Sequence, residues 1–289
     1  MRIADMYGKE TIISFEVFPP KKEGEESVID DTLLKLSKLS PAFISVTYGA
    51  GGSKRDATVN IAKKIAKLGV TPLAHLTCVC ATRADITPQL DALKAAQVEN
   101  ILALRGDIPK GISWGEAFKS FAHASDLACF AKKRGDFCIG AASYPEAHFE
   151  SQSLEKDIQN LKKKHDAGVE FFITQLFFEN WIYFRFVDRL RASGIDAPVS
   201  AGVMPVLEER QILRMASLCG CSIPSSLTRM MAKYSGSPGD FQKAGMEFAA
   251  KQIEGLISSG ASGVHIYSMN RWQQTCRILE MVRGSSTSV

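Results

Sequence analysis

Short apolar runs alternate with longer segments of helical periodicity along the whole chain. The runs at 44–47, 101–104 and 171–174 are apolar on both faces, which is typical of parallel strands covered by helices. We count about eight strand-then-helix units, the number that closes a parallel barrel. The pattern therefore predicts an α/β fold, a (β/α)8 TIM barrel.

Three of the predicted helices have a clear apolar face, because their apolar residues recur at steps of three and four. These residues are Ile29, Leu33 and Leu36 in the first helix, Ile61, Ile65 and Leu68 in the second, and Leu154, Ile158 and Leu161 in the third. We expect Gly69 to end the second helix.

No linker, charge block or low-complexity stretch divides the chain, so we expect one domain over residues 1–289. Two segments enlarge the repeating pattern: a Pro/Gly-containing loop at 109–115 after the fourth strand, and short extra helices within 222–240 after the seventh. The Gly/Ser/Thr-rich tail at 284–289 is expected to be disordered. The Gly-rich segment 49–54 lacks the spacing of a phosphate-binding loop and is expected to be a mobile loop over the barrel mouth.

Polar residues follow nearly every predicted strand at its C-terminal end. They are Glu16, Thr47, His75, Arg105, Asp107, Tyr144, Gln175, Tyr267, Asn270 and Arg271. In a parallel barrel these strand ends converge on one face, where catalytic groups lie. The same pattern therefore predicts both the fold and the location of the chemistry.

Composition is that of an ordinary globular protein, with 45% hydrophobic and 23% charged residues and a mean hydropathy of -0.03. The net charge of +4 is too small to indicate nucleic-acid binding, but it suits an anionic small ligand. We find no transmembrane run and no N-terminal apolar segment, and we expect a cytoplasmic protein. The odd count of seven cysteines predicts free thiols, and the two C-x-C pairs lack zinc-site spacing.

Glu16 is the first candidate catalytic residue. It lies between Phe15 and Phe18 at a strand exit, where partial desolvation is expected to raise its pKa toward the range of a general acid. A salt-bridged rim carboxylate is the alternative interpretation.

Arg105 and Asp107 form the second candidate pair. Two residues apart in an extended segment, they point to the same side, so one could bind a ligand while the other sets the charge near a reacting ring. An ion pair within the loop is the alternative.

A polar helix face is the third candidate. Asp157, Asn160, Lys163 and Lys164 recur at steps of three and four, and this order of groups suits a ribose hydroxyl followed by phosphates. A solvated helix face would show the same spacing. The preceding segment adds His148 and small residues, where a flat ring could approach the backbone.

Together these segments resemble the methylenetetrahydrofolate reductase family, in its compact bacterial type, over residues 11–283. The segments that carry the resemblance are Ser14-Phe15-Glu16, Phe18-Pro19-Pro20, Val46-Thr47-Tyr48-Gly49-Ala50, His75-Leu76-Thr77-Cys78, Leu104-Arg105-Gly106-Asp107, Tyr144-Pro145-Glu146 with His148, Asp166-Ala167-Gly168, Ile173-Thr174-Gln175 and Asn270-Arg271. The resemblance implies a barrel with non-covalent FAD, FMN being the less favoured flavin. It also implies reduction of 5,10-methylenetetrahydrofolate to 5-methyltetrahydrofolate by ping-pong hydride transfer.

The resemblance also implies a role for each matching residue. Glu16 is expected to be the acid that helps open the folate imidazolidine ring, and Asp107 to lie near the flavin and bind the pterin. Gln175 and Arg271 are expected to hold the folate. Flavin-binding residues are expected to be Thr47, His75, Arg105, Ala142, Tyr144, His148, Asp157, Asn160, Lys163 and Lys164.

The chain departs from the family pattern at two positions. The family often has an aromatic residue four positions after Gln211, whereas this chain has Met215; we place both residues on the substrate side. This change leaves the electron donor open between NADH, NADPH and a redox partner protein. The second departure is His123, which replaces a frequent Tyr and changes the expected stacking of the adenine.

Two rival interpretations remain at this stage. An aldolase-type barrel would need a Schiff-base lysine inside a strand, and none of the apolar runs carries one. A flavin-binding subunit that takes electrons only within a protein complex would leave no clear motif. We expect a homo-oligomer that binds folate and neither nucleic acid nor a metal ion.

Overall fold

The computed structural model describes residues 1–8, 10–20, 26–48 and 55–286. Eight parallel strands form a closed barrel in which each strand pairs with its neighbours in sequence and β8 pairs with β1. The strands are β1 Ile12–Val17, β2 Phe43–Val46, β3 Thr71–Thr77, β4 Asn100–Leu104, β5 Cys138–Ser143, β6 Phe171–Thr174, β7 Val199–Val203 and β8 Gly263–Tyr267. The predicted (β/α)8 barrel is confirmed.

Helices surround the barrel, at least one after each strand. They are α1 Glu26–Ser37, α2 Arg55–Lys67, α3 Arg83–Ala95, α4 Trp114–Ala117, α5 Ala124–Arg134, α6 Leu154–Asp166, α7 Asn180–Ala192, α8 Glu209–Cys219, α9 Ser225–Tyr234, α10 Pro238–Ser258 and α11 Trp272–Ser286. No helix in the described ranges is both long and apolar enough to cross a membrane.

The apolar stripes of α1, α2 and α6 pack toward the strands, with one exception. Ile61 and Ile65 are buried as expected, but α2 ends at Lys67, so Leu68 falls in the following turn and is 36% exposed. Gly69 then takes a left-handed conformation, with φ of 78°, which favours glycine and ends the helix.

The N-terminal end of the barrel is closed by apolar side chains. Phe43, Leu73 and Phe171 belong to one buried cluster that also includes Ile3, from a short 3₁₀ turn at Ile3–Met6. The backbone N–H of Ile3 donates to Asn100 Oδ1 at 2.8 Å, which anchors this plug to β4. The strand-end residues thus face the opposite end, the barrel mouth.

The two predicted enlargements contain helices. The short α4 begins within the 109–115 segment, at Trp114, and has a capping box between Ser113 and Glu116, while α9 occupies part of 222–240. Helix α11 continues through residues 284–286, half of the tail that we expected to be disordered. Residues 287–289 and the Gly-rich loop at 49–54 lie outside the described residues.

Candidate active site

Glu16 lies in β1, with its side chain 19% exposed at the barrel mouth. Its neighbours in strand register are Ser45 on β2 and Tyr267 on β8. The Glu16 Oε2 atom is 3.5 Å from His75 Nε2 and 3.9 Å from His265 Nε2. The carboxyl group therefore faces two imidazole rings at the top of a packed barrel interior.

His75 is buried on β3, and burial lowers its pKa to about 4. The ring is therefore neutral near pH 7 and forms no fixed ion pair with Glu16. Its Nε2 atom has no hydrogen-bond partner among the described residues. A buried polar atom without a partner calls for an explanation, and a ligand bound in the mouth could supply the missing hydrogen bond.

His265 is a member of this site that sequence reasoning missed. It is fully buried on β8, where Nδ1 lies 2.8 Å from Ser14 Oγ and Nε2 lies 3.3 Å from Ser45 Oγ. Its ring also stacks on Phe43 at 5.6 Å between centroids. We call Glu16, His75, His265, Ser14 and Ser45 the Glu16 cluster.

Tyr267 connects the Glu16 cluster to β6, because it pairs with Glu16 in strand register and reaches Thr174. Its hydroxyl donates to the Thr174 carbonyl at 2.6 Å, and burial raises its pKa well above the ordinary value. The strand between them allows this contact only because residue 202 is glycine. A Cβ there would lie 2.1 Å from the Thr174 carbonyl oxygen and 2.8 Å from the Tyr267 hydroxyl.

Arg105 follows β4 and is fixed from several sides. Its guanidinium contacts both carboxylate oxygens of Glu150, at 2.5 and 2.8 Å, and lies over the rings of Trp114 and Phe118 at 5.2 and 5.5 Å. The bond to Glu150 raises the pKa of Arg105, so the charge is permanent. Asp107, two residues on, is exposed.

The predicted helix face lies on α6, and its members differ in environment. Asp157 is buried and accepts the backbone N–H of His148 at 3.2 Å. Lys164 is partly buried and donates to the Ala142 carbonyl at 2.8 Å, whereas Lys163 is exposed. We call Arg105, Glu150, Asp157 and Lys164 the charged flank; Asn160, partly buried, lies on the same face of α6.

Burial perturbs the titratable residues of this flank. It raises the pKa of Asp157 and lowers that of Lys164 to about 8, with each charge partly offsetting the effect on the other. Tyr144 contacts the His148 ring edge-on at 4.6 Å, and burial raises its pKa to about 12. Perturbed groups of this kind cluster at functional sites.

Gln175 and α8 form the third side of the mouth. The Gln175 Oε1 atom lies 3.8 Å from Cys219 Sγ and accepts a weak hydrogen bond from this thiol. Gln211 Nε2 is 4.0 Å from Met204 Sδ, and Met215 is partly buried against the apolar cluster of Leu176, Phe178 and Met204. Gln211 and Met215 therefore lie on the same helix beside the mouth.

The remaining predicted residues lie around the rim. Arg271 pairs with Glu208. The preceding Asn270 exchanges hydrogen bonds with the backbone of Phe18 at 3.1 and 2.9 Å and so ties the rim to the segment after Glu16. Thr47 follows β2 and is partly buried, and His123 is an exposed residue at the start of α5.

The cysteines are free thiols, as predicted, and Cys78, Cys138 and Cys219 are buried. Within the described ranges, no group of three or more His, Cys, Asp or Glu side chains is arranged to hold a metal ion.

A parallel eight-stranded barrel with a carboxyl group, neutral imidazoles and a charged flank at its C-terminal mouth defines an enzyme-like α/β barrel. The sequence model of the methylenetetrahydrofolate reductase family matches residues 2–283. The chain is 36% identical over 270 residues to 5,10-methylenetetrahydrofolate reductase of Pectobacterium carotovorum subsp. carotovorum, covering 93% of this chain and 89% of that one. It is 35% identical over 267 residues to the Escherichia coli K12 enzyme of the same name, covering 92% and 88%. The chain belongs to the methylenetetrahydrofolate reductase family.

A comparison of structures agrees on the fold. An uncharacterised protein from Clostridium thermocellum that binds two copies of 5-methyl-5,6,7,8-tetrahydrofolic acid superposes with a TM-score of 0.64 at 14% identity. The match covers 97% of both chains.

Proposed function

We propose that this protein reduces 5,10-methylenetetrahydrofolate to 5-methyltetrahydrofolate with a bound flavin, in a ping-pong cycle. The observation that carries the proposal is Glu16, a carboxyl group held 3.5 Å from a neutral, buried imidazole at the mouth of a family barrel. Membership of the family supports the reaction, and the folate bound by the Clostridium thermocellum protein supports the substrate class.

The residues present fit a flavin. The unpartnered His75 Nε2 offers a hydrogen-bonding atom for a polar ring edge, while Arg105 and Lys164 offer positive charge for phosphates. Asp157 and Asn160 continue the same helix face, so a ribose hydroxyl beyond the phosphates would find a carboxylate and an amide. This extra length of polar face favours FAD over FMN.

When bound, the flavin would accept electrons from a donor in one half-reaction and supply a hydride to the folate in the other. The protein's own task at the reacting end is to move a proton. We propose that Glu16 donates a proton to a nitrogen of the folate imidazolidine ring, which helps to open that ring to an iminium ion. Partly buried Tyr267, held to the Thr174 carbonyl, shields one side of this site from water.

Folate binding is assigned to the far side of the mouth. Gln175 presents an amide that can match the donors and acceptors of a pterin ring, and exposed Asp107 presents a carboxylate to the same ligand. Arg271, partly exposed and paired with Glu208, could exchange that partner for a carboxylate of the folate tail.

The test is the visible spectrum and turnover of the purified protein. We expect the purified protein to show the absorbance of oxidised flavin. After the flavin is removed, FAD should restore this absorbance more readily than FMN. After chemical reduction of the flavin, 5,10-methylenetetrahydrofolate should restore the absorbance again. A protein that stays colourless after incubation with either flavin would refute the proposal. If the protein binds flavin but its reduced flavin is not reoxidised by 5,10-methylenetetrahydrofolate, the proposed substrate is wrong.

A further inference from the structure

The C-terminal end of α8 is clamped to the loop that follows β5. The Glu146 carboxylate accepts the Ser222 backbone N–H, at 3.1 Å to each oxygen, and the Ser222 hydroxyl at 2.5 Å. Between helix and clamp, Gly220 adopts φ of 67°, a left-handed conformation that ends α8. This turn and the clamp together fix the position of the last residue of α8, Cys219.

Cys219 is 8% exposed and belongs to the apolar cluster beneath α8. Its Sγ atom lies 3.8 Å from Gln175 Oε1, within the distance of a weak hydrogen bond from a thiol. Burial raises the pKa of Cys219 to about 11, so the thiol retains the proton that it donates.

The Gln175 amide is therefore held on its oxygen, which accepts from the Cys219 thiol. A thiol is both a weak donor and a weak acceptor, so this contact restricts the position of the side chain more than the choice between its oxygen and nitrogen ends. The remaining hydrogen-bonding capacity of the amide can then serve a ligand.

We propose that Cys219 is a positioning residue of the folate site: its thiol holds in place the Gln175 side chain, which in turn contacts the pterin. The inference rests on the proposed function, in which Gln175 binds the folate. It gives a role beyond packing to one thiol of the Cys219-Gly220-Cys221 pair, whose spacing does not suit a metal site.

The experiment compares variants of the flavin-loaded protein for steady-state KM and for equilibrium binding of 5-methyltetrahydrofolate, followed through the flavin absorbance. Cys219→Val fills the site without a donor and is expected to raise KM and Kd about two- to tenfold with little change in kcat. Cys219→Ser restores a donor and is expected to stay near wild type. Cys221→Ala is the matched control and is expected to leave both constants unchanged.

A double-mutant cycle separates positioning from packing. In a Gln175→Leu background, the Cys219→Val change should have no further effect on Kd, because the amide that it positions is gone. An equal loss in both backgrounds, or an equal loss from Cys219→Val and Cys219→Ser, would show a packing effect and overturn the inference.

Failure of the proposed function has a different signature. If the wild-type protein binds no 5-methyltetrahydrofolate, the proposed function fails and this inference falls with it. If the wild type binds and turns over while Cys219→Val matches it in KM and Kd, only the role of Cys219 is refuted.

Discussion

The Glu16 cluster and the charged flank share one barrel mouth but hold their charges differently. In the Glu16 cluster, a carboxyl group faces two imidazoles, and His75 stays neutral because burial lowers its pKa to about 4. In the charged flank, Arg105 is bound by Glu150, and Lys164 is hydrogen bonded to a backbone carbonyl. The first arrangement leaves a proton free to move, whereas the second holds charges in place for a ligand.

The difference follows from the elements that carry the two regions. The strand residues His75 and His265 are buried in the closed barrel, and Glu16, whose side chain is 19% exposed, lies above them at its mouth. The flank lies on α6 and on loops, where Asp157 is buried but Arg105 and Lys164 are only partly buried and remain accessible to a ligand. We therefore expect mutations in the Glu16 cluster to change the chemical step and mutations in the charged flank to change binding.

Glu16→Gln provides the strongest test of this division. Loss of the proton donor is expected to lower folate turnover by about 10² to 10⁴, because general acid catalysis is typically worth that much. Flavin affinity and reduction of the flavin by a donor should stay near wild type, as measured by titration and anaerobic stopped-flow absorbance. Glu16→Asp, which keeps the carboxyl group, should retain more activity than the Gln variant. Equal turnover in Glu16→Gln and wild type would place the acid elsewhere.

Lys164→Ala tests the opposite region. A hydrogen bond to a charged group contributes about 1.5–3 kcal/mol, so its loss should weaken flavin binding by about tenfold to a hundredfold. Exposed Lys163 is the matched control on the same helix, and Lys163→Ala should weaken binding less. Flavin Kd and thermal unfolding of the apoprotein are the measurements. If the two variants bind flavin equally, burial does not distinguish these lysines, and the comparison breaks down.

The pH dependence of flavin binding also tests whether the partly buried ammonium group of Lys164 binds the flavin. Burial lowers the pKa of Lys164 to about 8, so its ammonium group is present below that pH and is lost above it. A bound phosphate favours the charged form, and affinity should therefore fall as pH rises above 8, by up to about tenfold per pH unit. Lys164→Arg carries a charge that persists and should flatten the profile. A wild-type Kd that is constant from pH 7 to 9.5 would contradict this assignment.

The strand-end pattern was sufficient to predict the barrel and the mouth, because parallel strands place their C-terminal residues on one face. His265 escaped prediction because it lies within β8, and only barrel register shows that it meets Ser14 and Ser45. Similarly, Arg105 and Glu150 are distant in sequence, so their pairing could not be read from spacing. Helical steps of three and four placed both Lys163 and Lys164 on the predicted face. Only the packing of α6 against β5 shows that Lys164 is partly buried whereas Lys163 is exposed.

Substitution of Met215 is expected to have the smallest effect on the rate of flavin reduction. It tests whether α8, on a third side of the mouth, acts independently of the Glu16 cluster and the charged flank. Met215 lies partly buried on α8, where relatives in the family pattern often carry an aromatic ring that would stack on a flat ligand. An aromatic pair contributes about 0.5–1.5 kcal/mol beyond area burial, and a thioether on a ring about 0.3–1.5 kcal/mol. Met215 in place of an aromatic residue should therefore weaken the stacking of a flat ligand at this position without abolishing it. NADH or NADPH should consequently reduce the flavin of the wild-type protein slowly.

Met215→Phe should accelerate that reduction by about two- to tenfold, while Met215→Leu, which adds no ring, should not. Neither variant should change flavin Kd or the rate at which folate reoxidises the reduced flavin, because Met215 belongs to neither the Glu16 cluster nor the charged flank. Anaerobic mixing with each nucleotide, followed at the flavin absorbance, measures the rate of reduction. Mixing the reduced protein with 5,10-methylenetetrahydrofolate measures reoxidation, and titration of the apoprotein with FAD measures Kd. Rapid, saturable reduction of the wild type by either nucleotide would show that Met215 is a tolerated substitution. Slow reduction in every variant would instead favour a protein partner as the electron donor.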